Sequence, residues 1–371
     1  MSGKEKYEKV IKGVELIWNN QFDEAEELFK KDASTNPRSA LHYAEAVFLK
    51  SFITADVQDT QLALKRLENA KNVASSHLST LEKGSIPTGS SIDKNEIRHY
   101  LLDSRVCLGD SLYMMAILQL TRDSKVKGAF NLRKSWKVFE GTEKLLKSGE
   151  ANEELKQCVH FGAGMFYWAV SIIPKKLLRL VELAGFKADR ELGLKYMRET
   201  HAEQGVRGSY ATMLLLANNL VLPRGVADIS SYLEEADKLI DEATKRYPTG
   251  SLFQVMGSHL RRKQCNVDGG IEFMEQALDS CKSLKQEPLI YRYELACCYC
   301  MKLEFAKAAE IFVKLIDAEN FQVRAICAIQ LASCYAVLGE TSKKEAILKN
   351  MSKYARKGSS LDSQMLTHAT R

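Results

Sequence analysis

The spacing of apolar residues predicts helices along almost the whole chain. Ala40–Ile53 and Gln61–Leu81 read as amphipathic helices, with apolar side chains three and four apart, the interval of one helix face. Period-two alternation is scarce and only six prolines interrupt the chain, so strands are not expected. Asp93–Thr121 reads as one long helix whose apolar face is Leu101, Val106, Leu112, Met115, Ile117 and Leu120. A turn is expected at Asp123–Gly128, then a helix over Ala129–Leu146 with Trp136 and Phe139 in the core, then a polar break at Lys147–Asn152. Cys158–Ile173 is 16 residues without a charge, short of the roughly 20 that span a bilayer. Gly162, Gly164 and Ala169 suit it to close packing on all sides. Leu177–Ala184 continues helically and Gly185-Phe186 closes it. Asp189 is the expected N-cap of a helix over Arg190–Glu203. Ser209–Leu222 is a further core helix, stopped by Pro223, and Gly84–Ile92 is a Ser/Gly-rich loop.

An internal repeat lies on top of this pattern. Arg292-x-x-Leu295-Ala296-x-x-Tyr299 precedes Ala308-x-x-x-Phe312. That is the tetratricopeptide skeleton W-x-x-L-G-x-x-Y followed by A-x-x-x-F, with Arg for the Trp and Ala for the Gly. The small residue lets two helices approach and the aromatic fills the gap between them. Gly13 to Phe29, Gly257 to Phe273 and Ala296 to Phe312 all span 16 residues, and Leu331-Ala332-x-x-Tyr335 begins another copy. The steps from Gly257 to Ala296 and from Ala296 to Ala332 are 39 and 36 residues, longer than the standard unit of about 34, so longer loops are expected. Asn36-Pro37 falls where the repeat commonly carries its closing proline. The expected fold class is all-α, a tetratricopeptide-type helix-pair solenoid with a right-handed superhelix and long central buried helices. It forms a single repeat domain over 1–352, with units near 6–39, 209–249, 250–287, 288–322 and 323–351 and a long-helix insert at 93–205. Residues 353–371 read as a polar tail without a cap or a closing amphipathic helix.

Composition narrows the class without naming a chemistry. Apolar residues make up 45% and charged residues 27%, ordinary for a soluble folded chain. The net charge of +6 is spread along the sequence and does not specify nucleic acid. Nine cysteines show no secreted framework and Met1–Val10 is polar, so free thiols and a cytoplasmic location are expected. No phosphate loop, metalloprotease or nucleophile-elbow motif occurs. Cys297-Cys298-Tyr299-Cys300 contains a C-x-x-C, but its thiols sit at packing positions of the repeat. The seven histidines are scattered. No catalytic, cofactor or metal-ligating residues are expected, and the chain reads as a non-enzyme. Lys125, Lys127, Arg133, Lys134 and Lys137 form one basic cluster and Arg261-Arg262-Lys263 another. Each is either a solvated face or a surface for an acidic partner or lipid headgroup.

Four stretches carry a family resemblance. They are Lys127-Gly128-Ala129-Phe130-Asn131-Leu132-Arg133-Lys134-Ser135-Trp136-Lys137, His160-Phe161-Gly162-Ala163-Gly164, Ile173-Pro174-Lys175-Lys176-Leu177-Leu178-Arg179-Leu180 and Gly185-Phe186-Lys187-Ala188-Asp189-Arg190-Glu191-Leu192-Gly193. Together, and in this order, they resemble the tetratricopeptide repeat protein 39 family, which includes the fungal inclusion body clearance proteins. The resemblance runs over roughly residues 5 to 350 and departs at Ala188, where the family usually has Gly. It implies a non-enzymatic helical adaptor without cofactors, working through protein contacts in protein turnover or lipid homeostasis. The alternative is a peripheral membrane or lipid-droplet factor using Cys158–Lys176.

A repeat stack presents one wall made of the first helix of each pair. The residues expected on it are Gln254, Ser258 and Arg261, then Tyr293, Cys297 and Met301, then Ile329 and Ser333. Such a wall suits an extended or helical peptide with apolar anchors. Val10 and Val14 stand where carboxylate-clamping repeats carry Lys and Asn, which argues against a C-terminal carboxylate ligand. The other reading fills the wall with a helix of the same chain.

Overall fold

The computed structural model describes residues 3–83, 94–121, 124–173, 185–222, 229–319, 321–356 and 359–369. The loop expected at Gly84–Ile92, the helix expected at Leu177–Ala184, Asp123 and Pro223 lie outside the described residues. All regular elements among the described residues are helices. They divide into two compact units, residues 1–227 with 241–248, and residues 228–240 with 249–371.

The first unit begins with α1 (Gly3–Trp18) and α2 (Phe22–Lys30), joined by Asn20 in the left-handed region. The 16-residue offset is a physical contact here, since a Cβ added to Gly13 would overlap the Phe29 ring. Asn36 caps α3 (Pro37–Thr54) by accepting from the Ser39 N–H, and Pro37 takes its first turn, where the missing N–H costs nothing. Pro37 therefore opens the third helix; the second stops seven residues earlier, at Lys30. α4 is Val57–Glu82, α5 Lys94–Thr121, α6 Lys125–Lys147 and α7 Glu153–Ser171. The turn expected at Asp123–Gly128 is shorter than read, because Lys125–Gly128 is already helical. α8 (Arg190–Glu203) starts as expected, with the Asp189 carboxylate accepting from the Leu192 N–H. α9 (Gly208–Leu216) loosens into a π turn over Ala217–Val221.

α3 corrects the reading of Ala40–Ile53 as amphipathic. It is packed by α1, α2, α4 and α5, and nearly every residue from Pro37 to Leu49 is buried, Arg38, His42 and Glu45 included. α5 is likewise buried through Asp103, Val106, Cys107 and Asp110, while Leu120, assigned to its apolar face, is 37% exposed. The spacings explain the match. Residues 38, 42 and 45 share one face of α3, and residues 103, 107 and 110 share one face of α5. Arg38 Nε donates to Asp103 Oδ1 at 2.7 Å, and the Tyr7 hydroxyl donates to the same oxygen at 2.9 Å. Arg207, just before α9, donates through Nη1 to Glu45 Oε1 at 2.8 Å and through Nη2 to Asp110 Oδ2 at 2.5 Å. Arg207, Glu45 and Asp110 are each 1% exposed or less. His42 contacts Glu45 in the same core. Three segments distant in sequence are thus pinned by paired charges.

This core makes stability pH-dependent. Burial, with the Arg207 and Arg38 charges, depresses the His42 imidazole below its ordinary 6.5 against the pull of Glu45. Burial would raise the Glu45 carboxyl, yet Arg207 and then His42 hold it at about 2. Asp103 is also lowered, by Arg38 against burial, whereas burial raises Asp110. A histidine depressed on folding takes its proton first in the unfolded chain, so its contribution is lost as pH falls below 6.5. Glu45 and Asp103 add losses at lower pH, and Asp110 opposes them. All three tryptophans, Trp18, Trp136 and Trp168, are buried in this unit and report on it. Their fluorescence melting midpoint is expected to fall steadily from pH 7 to pH 5, and His42→Gln to flatten that slope. His160, also depressed by burial, retains the remainder. An unchanged slope in His42→Gln would refute the assignment.

The second unit takes the first half of α10 (Ser230–Arg246) and then three helix pairs. These are α11 (Ser251–Lys263) with α12 (Val267–Asp279), α13 (Leu289–Met301) with α14 (Phe305–Asp317), and α15 (Arg324–Val337) with α16 (Thr341–Lys349). A Cβ on Gly257 would lie 2.7 Å from the Phe273 ring, and Ala296 and Phe312 share one buried cluster. The stretch read as a polar tail holds a further helix, α17 (Ser360–Ala369), whose Met365 and Leu366 pack against that same cluster. Its buried Asp362 accepts from the Arg356 backbone N–H at 2.8 Å. Two apolar contacts and one carboxylate were too few to show periodicity in the sequence.

Candidate functional site

The first helices of the three pairs stand side by side in register. Ser258 Oγ lies 3.8 Å from Cys298 Sγ, and Arg262 Nη2 donates to Glu294 Oε2 at 2.8 Å, joining α11 to α13. Cys297 Sγ lies 3.9 Å from Gln330 Oε1 and Cys300 Sγ 3.7 Å from Cys334 Sγ, joining α13 to α15. These offsets of 32 to 40 residues are the repeat step written as contacts.

The residues expected on this wall separate into two groups. Gln254 and Ser258 are buried, so they pack the helices together. Tyr293 is half-buried, with its ring 6.2 Å from Phe312 and 6.5 Å from Phe321. Cys297 and Ile329 are also half-buried against the cluster. Arg261 is half-buried over the Phe273 ring and donates to Asp237 at 3.0 Å and to Gln264 at 2.8 Å. Ser333 is exposed and its hydroxyl donates to the Ile329 carbonyl. Met301 is 53% exposed and offers the largest apolar surface of the set.

Sequence reasoning missed two further exposed apolar residues of this unit. Leu303 is 72% exposed and Val337 62% exposed, at the ends of α13 and α15. Leu303 has φ +64. Counted from the small contact residue, the same position is Asn20 in the first pair and Gly339 in the last, both also left-handed. Asn and Gly are the residues that adopt this backbone at little cost. A leucine there carries strain and an exposed apolar side chain together. The signal was present in the sequence: aligning Ala296 with Ala332 sets Leu303 opposite a glycine.

Apart from the exposed Cys265, the thiols of this unit are packing groups. Cys298, Cys327 and Cys334 are buried. Burial pushes Cys297 up to about 11 and Cys327 to about 12, so both stay protonated near neutrality. Among the described residues no group of three His, Cys, Asp or Glu side chains could hold a metal ion.

In the first unit, three of the four stretches carrying the resemblance meet in one packing arrangement, and residues 174–180 of the remaining one lie outside the described residues. Trp136 Nε1 donates to the Gly185 carbonyl at 2.6 Å and its ring stacks on Phe186. Gly164 and Gly193 let α7 and α8 cross closely, and a Cβ on Gly193 would lie 2.8 Å from the Gly164 carbonyl. His160 stacks on Tyr196 with centroids 4.1 Å apart. Phe161 to Trp168 are buried without a break, so the uncharged run of α7 lies inside the unit. Among the described residues no helix is long and apolar enough to cross a membrane.

A family model described as Iml2/Tetratricopeptide repeat protein 39 matches residues 11–369. Two solved structures are similar at low identity. The "Assembly Chaperone of RpL4 (Acl4) (Residues 1-338)" is 13% identical, with 91% of this chain and 98% of that chain covered and a TM-score of 0.31. The "Crystal Structure of the Yeast Tom70" is 11% identical, with 99% and 96% covered and a TM-score of 0.43.

Proposed function

The chain belongs to the Iml2/tetratricopeptide repeat protein 39 family, and from that premise we propose that it is a non-enzymatic scaffold that holds a peptide segment of another protein. The segment lies on the wall of first helices in the second unit, and the complex serves protein turnover or lipid homeostasis in the cytoplasm. The observation that carries this reading is Leu303, kept in a left-handed backbone conformation and 72% exposed beside Met301. An apolar side chain retained at a conformational cost of roughly 1 kcal/mol is paid back by a contact outside the chain.

Leu303→Gly tests it by moving stability and binding in opposite directions. The variant is expected to be slightly more stable, by up to about 1 kcal/mol, because the strain is relieved. A photoreactive phenylalanine analogue at Met301 in full-length protein is expected to trap a defined protein in cells. The yield should fall severalfold when Leu303→Gly is added. The same probe at Val313, on a second helix, is expected not to trap that protein. Equal capture from Met301 and Val313, or capture indifferent to Leu303→Gly, would remove the basis for this reading.

A further inference from the structure

A second surface, in the first unit, has a chemistry that the wall does not. Over α5, between α4 and α6, runs a groove of 460 Å³. Its floor is Leu108, Leu112 and Val138, with Phe130 at one side. Lys71, Arg133, Lys134 and Lys137 stand around it, and no carboxylate is among its lining residues. Leu112 is 4% exposed and recessed, whereas Phe130 is 58% and Val126 85% exposed on the same face of α6. Residues 126, 130, 133 or 134, and 137 form one stripe along that helix.

The charge placement is unfavourable for the isolated fold. From Lys125 to Lys137, α6 carries five cations and no acid. Its first turn has no acidic residue and carries Lys125 and Lys127. Cations at a helix N-terminus oppose the macrodipole and repel one another. Internal partners answer only part of this charge. Lys137 pairs with Glu140 at 3.0 Å, Lys71 pairs with Glu68, and Lys134 lies over the Phe130 ring at 4.4 Å. One turn before Leu108 on α5, Arg105 reaches Glu82 on α4 at 3.5 Å and faces Gly141 on α6.

We propose that this groove binds an acidic amphipathic helix of a partner protein, with apolar side chains on Leu108 and Leu112 and its carboxylates against Lys71, Arg133, Lys134 and Lys137. Charge complementarity selects an acidic occupant. The recessed floor selects a helix: a ridge of side chains one turn apart fills a trough between two helices, whereas a flat bilayer touches only the rims.

The probe is a fluorescein-labelled helical peptide of about 18 residues with leucines on one face flanked by glutamates. Its control has every glutamate changed to glutamine. Anisotropy titrations use the full chain. The acidic peptide is expected to bind with salt-sensitive affinity and the glutamine control about tenfold more weakly or worse. Combining Arg133→Glu, Lys134→Glu and Lys137→Glu is expected to weaken the acidic peptide at least about tenfold. The same number of reversals at Lys314, Lys349 and Lys353, in the second unit, should leave the affinity within about twofold. Phe130→Ala, a change at an exposed side chain that leaves the fold intact, supplies the apolar test and should weaken binding severalfold. Equal binding of the glutamine control, or equal loss from both sets of reversals, overturns the proposal. So does binding of phosphatidylserine vesicles in place of the peptide, lost on the same reversals, which would assign the groove to a membrane surface.

Discussion

Arg207→Ala is expected to lower the stability of the first unit by about 3–5 kcal/mol, the usual loss when one partner of a buried ion pair is removed. Arg207 is 1% exposed and faces Glu45 and Asp110, themselves buried. Deleting the guanidinium leaves two carboxylates without their cation. Asp110, already raised by burial with Arg207 present, would take up a proton, and Glu45 would rise from about 2. Tryptophan fluorescence in urea should show a lower midpoint, and the second unit, which contains no tryptophan, does not contribute to that signal. The variant combining Arg207→Met, Glu45→Leu and Asp110→Leu is expected to regain most of the loss, because an apolar core of similar volume needs no paired charges. If Arg207→Ala costs less than about 1 kcal/mol, water reaches this site and the ionic pin is not a stabilising element.

How much of this could be read from the sequence differs between the units. The repeat offset was legible because a small residue and an aromatic must meet at fixed distance, and the Gly13–Phe29, Gly257–Phe273 and Ala296–Phe312 pairs do meet. The Asp189 cap was legible because capping is local. The ionic core was not, although residues 38, 42 and 45 and residues 103, 107 and 110 have plain helical spacing. Charged residues at that spacing ordinarily mark a solvated face. Only the partner helix, contributed from far along the chain, turns them inward. Burial also divided the wall residues, since Gln254 and Ser258 occupy the same helix face as Arg261 yet are buried, Ser258 against Cys298 of the next pair. The strained Leu303 needed an alignment of loops as well as helices, and loops vary in length between repeats.

The glycines of the first unit allow the packing argument to be tested against helix propensity, which predicts the opposite sign. In a helix interior Gly→Ala ordinarily stabilises by about 1 kcal/mol. That is expected for Gly141→Ala in α6, where the nearest side-chain atom to the new methyl is Arg105 Nη1 at 3.7 Å. Gly162→Ala in α7 is expected to destabilise by about 1–3 kcal/mol, because the methyl overlaps the Phe139 ring. The ring cannot retreat. On its other side a Cβ on Gly109 of α5 would already lie 2.7 Å from it, and Phe139 is 0% exposed. Phe139 is thus held between two glycines on two helices, as Phe29 and Phe273 are held against one. Adding Phe139→Leu to Gly162→Ala should return part of the loss, while Phe139→Leu alone destabilises, a non-additivity expected only of residues in contact. Urea midpoints by tryptophan fluorescence decide it, with Trp136 one turn before Phe139 on α6. If Gly162→Ala and Gly141→Ala shift the midpoint in the same direction, α7 can move away from α6, and the long central helices are less closely keyed than their contacts require.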